Sequence, residues 1–184
     1  MTVTLLSLLY VSLQAQLISF DALRDGVFDV TEIKKELILN GFTKVTASPK
    51  SDTDTYTYNY DEKEETASIW VYITPVIELE NAGLYSIMVQ TSGDYIHDEL
   101  VEEITENCTF EGIRVGDALV YTCDYATFAV STQGGNRAIT TFPNFEQLSM
   151  DSPIMDGLKE LLKETMTEGE LEEFIKAIEE TSEK

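Results

Sequence analysis

The first 20 residues of the chain carry no charged side chain, although the 184-residue sequence contains 34 aspartates and glutamates. Leucine, valine and tyrosine dominate from Val3 to Leu13, and the small-residue stretch that follows offers a cleavage point after Ala15. Such a run has the length of an export signal and is shorter than the roughly 20 apolar residues that a membrane-spanning helix needs. We therefore expect residues 1–15 to be a signal peptide that takes no part in the fold.

One feature of this leader favours a different interpretation. A secretory signal usually begins with a lysine or arginine, and the first four residues contain neither. The alternative is that the apolar segment forms a buried strand or helix of the fold. Export predicts a periplasmic or extracellular protein, whereas a retained segment predicts a protein that stays in the cytosol.

The charge balance limits the partners that this chain can have. Lysine and arginine total 12 against 34 aspartates and glutamates, which gives a formal net charge of −22. Nucleic-acid binding depends on basic side chains that displace counterions, and anionic lipid repels an acidic surface. We therefore expect no nucleic acid and no membrane as partner. A protein with a basic surface would be attracted, although high acidity also serves solubility alone.

The chain has two cysteines, Cys108 and Cys123. In an exported protein an even pair predicts a disulfide, and closing so short a loop would contribute about 3 kcal/mol of stability. The alternative is a pair of buried thiols.

A helix followed by strands is predicted in the first half of the chain. Asp29 and Glu32 have the spacing of a capping box, and Asn40-Gly41 is a typical helix end. Strands are predicted from Tyr56 to Tyr60, where tyrosines alternate with polar residues, and from Ser68 to Ile73 beyond a charged turn. The three tyrosines of the first strand are expected to point inward. The apolar helix positions are Val30, Ile33, Leu37 and Ile38.

The second half repeats this order. A helix begins at Asp94 and ends at Asn107-Cys108, a strand covers Tyr121–Tyr125, and a closing strand covers Arg137–Phe142. A further strand, Leu84–Val89, precedes this helix, and Leu17–Phe20 could take the same place before the first. We therefore expect two related units, at about 16–75 and 84–143. The apolar positions of the second helix are Ile96, Leu100, Val101 and Ile104.

The last segment, residues 151–184, has a different pattern. Ser152-Pro153 is a typical helix start, and apolar residues then recur at helical spacing between glutamates. We expect a helical pair that covers a bare face or edge of the sheet, the alternative being a partner-binding appendage. The apolar positions are Leu158, Leu161, Leu162, Leu171, Phe174, Ile175 and Ile178.

No motif in the sequence predicts catalysis, a metal or a cofactor. His97 is the only histidine, so no site with several imidazoles can form, and we expect an exposed helix residue. A pair of Cys108 with His97 would be about 16 Å apart along a helix, too far for proton transfer. The sequence contains no nucleophile elbow and no phosphate-binding glycine loop. An enzyme that uses scattered carboxylates remains the least favoured function class.

The strand around Trp70 is the candidate binding site. Ile69, Val71 and Ile73 alternate with Trp70 and Tyr72, so both faces of the strand are apolar. Either a second layer covers the Trp70 and Tyr72 face, or the two aromatic rings face solvent, where such residues are enriched in binding sites.

These observations predict an α+β fold. Two helix-plus-antiparallel-strand units would form one domain, residues 16–150, with helices packed on the sheet and a C-terminal helical segment. The predicted function is that of an exported, non-catalytic protein that binds a macromolecule or a small ligand. The alternative is an acidic inhibitor or immunity-type protein that neutralises a basic enzyme, which a retained leader would favour.

Overall fold

The computed structural model describes residues 17–45, 52–78, 83–92, 94–113, 118–131 and 137–144, together with 167–169, 172, 175 and 176. These ranges form a mixed fold with one eight-stranded antiparallel sheet and three helices. None of the helices described is long and apolar enough to span a membrane. The predicted leader, 1–15, and most of segment 151–184 lie outside the described residues. The helices and strands are α1 (Phe20–Asp25), α2 (Val30–Leu39), β1 (Thr43–Val45), β2 (Asp54–Tyr58), β3 (Ile69–Glu78), β4 (Gly83–Thr91), α3 (Asp94–Asn107), β5 (Thr109–Ile113), β6 (Leu119–Cys123), β7 (Ala126–Ser131) and β8 (Arg137–Pro143).

Helix α2 begins and ends where the sequence predicts. The Asp29 side chain accepts a hydrogen bond from the Thr31 N–H at 2.8 Å, which caps the first turn. At the other end the Phe42 N–H donates to the Leu37 carbonyl and the Gly41 N–H to that of Ile38, the two bonds of a Schellman motif. Gly41 has a φ of +86°, which glycine adopts without strain.

The segment before α2 is helical rather than extended. Ser19 accepts a hydrogen bond from the Ala22 N–H and starts α1, so the strand considered for Leu17–Phe20 is wrong. Glu36 of α2 accepts hydrogen bonds from both the N–H and the hydroxyl of Ser19. A serine that caps a helix satisfies backbone donors which an extended segment would have to pair in the sheet.

The sheet consists of two four-stranded meanders joined at their last strands. Its order is β1-β2-β3-β4-β8-β7-β6-β5, and every neighbouring pair is antiparallel. Helix α2 precedes the first meander and α3 the second. Strands β4 and β8 therefore lie at the centre, and β1 and β5 at the two edges.

The hydrophobic core lies between the three helices and one face of the sheet, which we call the inner face. Alternate residues of the central strands point into it, including Val71, Val89 and Ile139, which are neighbours across three strands. A hydrogen bond from the Tyr85 N–H to the Val27 carbonyl fixes the α1–α2 connection to β4. The helix residues in the core are Ile18, Phe20, Leu23, Val27, Val30, Ile33, Leu37, Leu100 and Ile104.

The two cysteines form a disulfide, as predicted. Cys108 follows the last turn of α3 and Cys123 ends β6, and their Cα atoms are 4.6 Å apart. The bridge ties the helix to the sheet at the inner face, where Cys123 belongs to the core.

Three strands and two residue positions differ from the sequence interpretation. Strands β1, β5 and β7 were not predicted. Tyr125, predicted as the last residue of a strand, lies in a tight turn, because Asp124 has a φ of +43° and β6 ends before it, at Cys123. Ile38, predicted on the apolar face of α2, is 61% exposed, because the stripe that packs on the core consists of Val30, Ile33 and Leu37.

Candidate functional site

The face of the sheet that points away from the helices, which we call the outer face, presents only uncharged residues on β2, β3, β4, β6, β7 and β8 where the structure describes their side chains. This contrasts with a chain in which 34 residues are acidic. It also contrasts with the solvated face of α2, which carries lysines and glutamates, and with that of α3, which carries glutamates. The outer-face residues are Thr55, Thr57, Val120, Thr122, Thr127, Ala129, Ser131, Ala138, Thr140 and Phe142, with Trp70, Tyr72, Thr74, Leu84, Ser86, Met88 and Gln90 on β3 and β4.

Three aromatic rings form a row on this outer face. Trp70 and Tyr72 are two residues apart on β3, with ring centroids 6.1 Å apart and ring planes within 6° of parallel. Tyr60 packs edge-on against Trp70, at 5.8 Å between centroids and an angle of 81°. Trp70 and Tyr72 are partly exposed and Tyr60 is exposed. We call Tyr60, Trp70 and Tyr72 the aromatic row.

Tyr60 joins the row because the backbone changes direction before it. Strand β2 ends at Tyr58, and Asn59 has a φ of +54°, so the strict alternation of side chains stops there. The Asp61 carboxylate then accepts hydrogen bonds from the N–H groups of Lys63 and Glu64, which fixes the turn into β3.

Only part of the expected tyrosine face therefore points inward. Tyr56 is buried and Tyr58 packs against the core, whereas Tyr60 does not. The signal that could have revealed this is the Asn-Tyr-Asp sequence at the strand end, since asparagine is one of the few residues that tolerate a left-handed backbone.

The neighbours of the aromatic row can form hydrogen bonds but carry no charge. Trp70 lies between Thr57 and Gln90 in the sheet register, and Tyr72 lies between Thr55 and Met88. Partial burial raises the pKa of the Tyr72 hydroxyl above its ordinary value, so this phenol stays a neutral hydrogen-bond donor.

His97 is buried, so the expectation of an exposed helix residue is wrong. It lies on the α3 face that also presents Leu100, Val101 and Ile104 to the sheet, at helical spacing. Its Nδ1 is 3.4 Å from the Asp98 carboxylate, which also accepts a hydrogen bond from Arg137 at 2.6 Å. Its Nε2 is buried with no hydrogen-bond partner among the described residues.

Asp54 joins α2, β1 and β2 through two ion pairs. Its carboxylate lies 2.8 Å from the Lys34 ammonium and 2.5 Å from that of Lys44. Partial burial raises the pKa of Asp54, but the two hydrogen-bonded lysines outweigh it, and the net result is a lowered pKa. Since the Asp54 carboxylate of β2 pairs with one lysine from α2 and one from β1, this cluster has a structural role.

A second polar cluster joins α1 to the β6–β7 turn. The Tyr125 hydroxyl donates a hydrogen bond to the Asp25 carboxylate, which also accepts one from Arg24 at 2.7 Å. Phe28 packs edge-on against the Tyr125 ring, at 5.0 Å. Partial burial and the bond to Asp25 both raise the pKa of Tyr125. This contact crosses from the first half of the chain to the second.

One face of α3 is acidic along its length. Glu99, Glu102, Glu103 and Glu106 line a shallow groove of about 240 Å³. Within the described ranges, no group of three or more His, Cys, Asp or Glu side chains has an arrangement that could hold a metal ion.

Comparison with known proteins gives no assignment: the chain matches no family model, no curated protein and no solved structure. The fold and the site therefore define the class, a disulfide-bonded α+β domain whose outer sheet face is uncharged and partly aromatic. Function has to be argued from that surface.

Proposed function

We propose that this protein is an exported, non-catalytic binding protein of the periplasm or extracellular space, and that its partner contacts the aromatic row. The observation that carries this proposal is the position of Trp70 and Tyr72, partly exposed on an uncharged face of a strongly acidic protein. Tryptophan and tyrosine supply much of the binding energy of protein interfaces, because they bury a large area while few rotatable bonds become fixed.

The geometry of the row favours recognition over mere exposure. Trp70 is held between Tyr60 and Tyr72, so its ring loses little conformational freedom when a partner binds. Gln90, its partly exposed register neighbour on β4, offers an uncharged donor and acceptor beside the ring. Thr57, the neighbour on β2, is buried, and its hydroxyl donates a hydrogen bond to the Thr43 carbonyl. An apolar centre with polar groups at its margin is the usual composition of a binding interface.

Two features support export. The disulfide is typical of proteins that mature in an oxidising compartment. A cut after Ala15 would leave the contacts near the start of the described chain intact. Ile18 is fully buried, the Leu17 carbonyl accepts a hydrogen bond from the Asn40 side chain, and Glu36 binds Ser19. Intact-mass analysis of the natively expressed protein tests this, and retention of residues 1–15 would contradict export by a cleaved signal.

We further infer that the two halves derive from one duplicated unit. Two pairs of positions support this. Asn59 after β2 and Asp124 after β6 both have a positive φ, and they are 65 positions apart. The repeat makes Gly41 equivalent to Cys108 and Tyr58 equivalent to Cys123. Cys108 and Cys123 are bonded to each other, and a Cβ at Gly41 would lie 3.7 Å from the Tyr58 ring.

The duplication has its own test. The double variant Gly41→Cys, Tyr58→Cys is expected to form a second disulfide, seen as the loss of two further hydrogens in the intact mass. Two free thiols that persist in the oxidised, folded variant would argue against the equivalence of these positions.

The binding surface can be tested by comparing two aromatic substitutions. Trp70→Ala is expected to abolish capture of the partner from a periplasmic or culture-fluid extract of the native host. Phe110→Ala removes an exposed ring from edge strand β5 and should leave capture unchanged. Circular dichroism establishes that both variants are folded. Equal capture by wild type and Trp70→Ala would overturn the proposal.

The alternative function, an acidic inhibitor of a basic enzyme, has support from the α3 groove. Its four glutamates and the net charge of −22 would attract a cationic surface. Such a complex would weaken steeply as salt rises, and Glu102→Gln with Glu106→Gln would weaken it while Trp70→Ala would not. Binding through the aromatic row gives the opposite pattern, so these variants separate the two functions.

A further inference from the structure

Two apolar side chains on the outer face are buried although the described helices lie on the other side of the sheet. Leu84 of β4 is 1% exposed and Val120 of β6 is 4% exposed, and neither belongs to the core cluster that the helices cover. Thr127 of β7, also on the outer face, is 8% exposed. A leucine on an uncovered sheet face would keep a large part of its surface in water.

The described helices lie on the other side of the sheet, and the lengths of the remaining segments favour one of them as the cover. The gaps between strands span only four to six residues each, whereas 40 residues follow Asn144. These 40 contain the apolar helical stripe predicted for residues 151–184. The uncharged outer face suits such a stripe, because no carboxylate there would be desolvated when it packs, and the intervening glutamates can stay in water.

The point where the described chain ends also favours this segment. Strand β8 is central, and Asn144 is fixed at its end by a hydrogen bond from its N–H to the Tyr125 carbonyl, at 2.7 Å. That position is close to Thr127, since Pro143 pairs with Ala126. Leu17, at the other end, lies on the helix side, where its carbonyl accepts a hydrogen bond from Asn40 of α2.

We propose that residues 151–184 pack with their apolar stripe on the outer face, over Leu84, Thr127 and Val120. The aromatic row then lies at the margin of the docked segment, on the β2–β3 side, which leaves its rings partly exposed. The inference does not depend on a partner for that row, because it concerns the opposite part of the same face.

Photo-crosslinking in the full-length protein tests this arrangement. A benzophenone amino acid in place of Thr122 or Thr140, both partly exposed on the outer face, is expected to crosslink to peptides from 151–184. The same group in place of Ile38, exposed on α2, should not. Crosslinks formed in a mixture of ¹⁵N-labelled and unlabelled protein distinguish contacts within one chain from contacts between two. Attachment to residues 1–16, attachment to a second copy, or no attachment to 151–184 from either position would overturn the proposal.

A stability measurement gives an independent readout. Leu161→Asp places a charge in the stripe and is expected to lower the midpoint of thermal unfolding by at least about 4 °C. Glu160→Gln, the adjacent residue on the expected solvent side, should leave the midpoint unchanged. An unaltered midpoint for Leu161→Asp would contradict docking of the stripe.

Discussion

At the scale of single residues, positions 70 and 73 of strand β3 face opposite ways and have opposite roles. Ile73 is buried in the core, whereas Trp70 lies partly exposed on the outer face. Ile73→Ala is expected to lower the free energy of unfolding by about 2–5 kcal/mol, because it leaves a cavity. Trp70→Ala removes partial burial and two ring contacts and should cost about 1 kcal/mol. Urea unfolding measures both, and a loss of about 3 kcal/mol or more for Trp70→Ala would show that this ring is core.

Tyr125 gives a prediction about pH. Partial burial opposes ionisation of Asp25, but the hydrogen bonds from Arg24 and Tyr125 outweigh it and lower the pKa of Asp25. A carboxylate with a lowered folded-state pKa stabilises the protein above its unfolded value of about 3.9, and this contribution is lost as pH falls through the folded value. Tyr125→Phe is expected to cost about 1 kcal/mol at pH 7 and to reduce the further loss of stability between pH 4 and pH 2.

The control for that experiment is Tyr60→Phe, which keeps the ring packed on Trp70 and removes an exposed hydroxyl. Urea unfolding at several pH values should give wild-type behaviour for Tyr60→Phe. If Tyr125→Phe kept the full wild-type pH dependence below pH 4, the hydrogen bond to Asp25 would have no energetic role.

At the scale of secondary-structure elements, the end of α2 depends on one glycine. Gly41 has a φ of +86°, where a side chain with a Cβ is strained, although a Cβ would meet the Tyr58 ring only at ordinary contact distance. Gly41→Ala is therefore expected to lower the free energy of unfolding by about 1 kcal/mol through backbone strain alone. Leu39→Ala, at an exposed position two residues earlier, should change it by less than about 0.5 kcal/mol. Equal stabilities for the two variants would contradict this assignment.

The attachment of α3 to β6 depends on the disulfide. Cys108 and Cys123 are 15 residues apart, and a crosslink of that loop length restricts the unfolded chain by about 3 kcal/mol. Reduction should therefore lower the free energy of unfolding by about that amount, as measured by urea unfolding with and without reductant. The double variant Cys108→Ala, Cys123→Ala should be destabilised to a similar extent and should no longer respond to reductant. A wild-type protein indifferent to reductant would show that the bridge does not form in solution.

At the scale of the whole molecule, a net charge of −22 repels itself. Raising the salt concentration from about 0.01 M to about 0.15 M shortens the screening length from about 30 Å to about 8 Å, so the thermal midpoint should rise. Sodium and potassium chloride at equal ionic strength should act alike, which distinguishes screening from specific cation binding. A midpoint that falls with salt would mean that attractive ion pairs such as Lys34–Asp54 outweigh the repulsion.

The sequence predicted the elements that have strong local patterns. Helices α2 and α3 were predicted with most of their apolar stripes, as were the Asp29 cap of α2, parts of β2, β3, β4, β6 and β8, and the cysteine bridge. Trp70 and Tyr72 were also found, since alternation along a strand is a local signal. The sequence did not predict α1, β1 and β5, which are short or carry exposed residues, so local periodicity is weak there. Strand β7 was also missed.

The remaining features depend on contacts between residues far apart in the chain. Nothing local indicates that β4 pairs with β8 or that the Tyr60 ring contacts Trp70. His97 is different, because its helical spacing with Leu100, Val101 and Ile104 is a local signal that the sequence analysis did not use. By itself the sequence determined the helices and strands that have strong periodicity and most of their apolar sides, because backbone sterics and hydrophobic periodicity act over a few residues. Only the tertiary structure decided the order of the strands and which apolar face the helices cover. Those choices depend on the total area that distant segments bury together, which no single segment encodes.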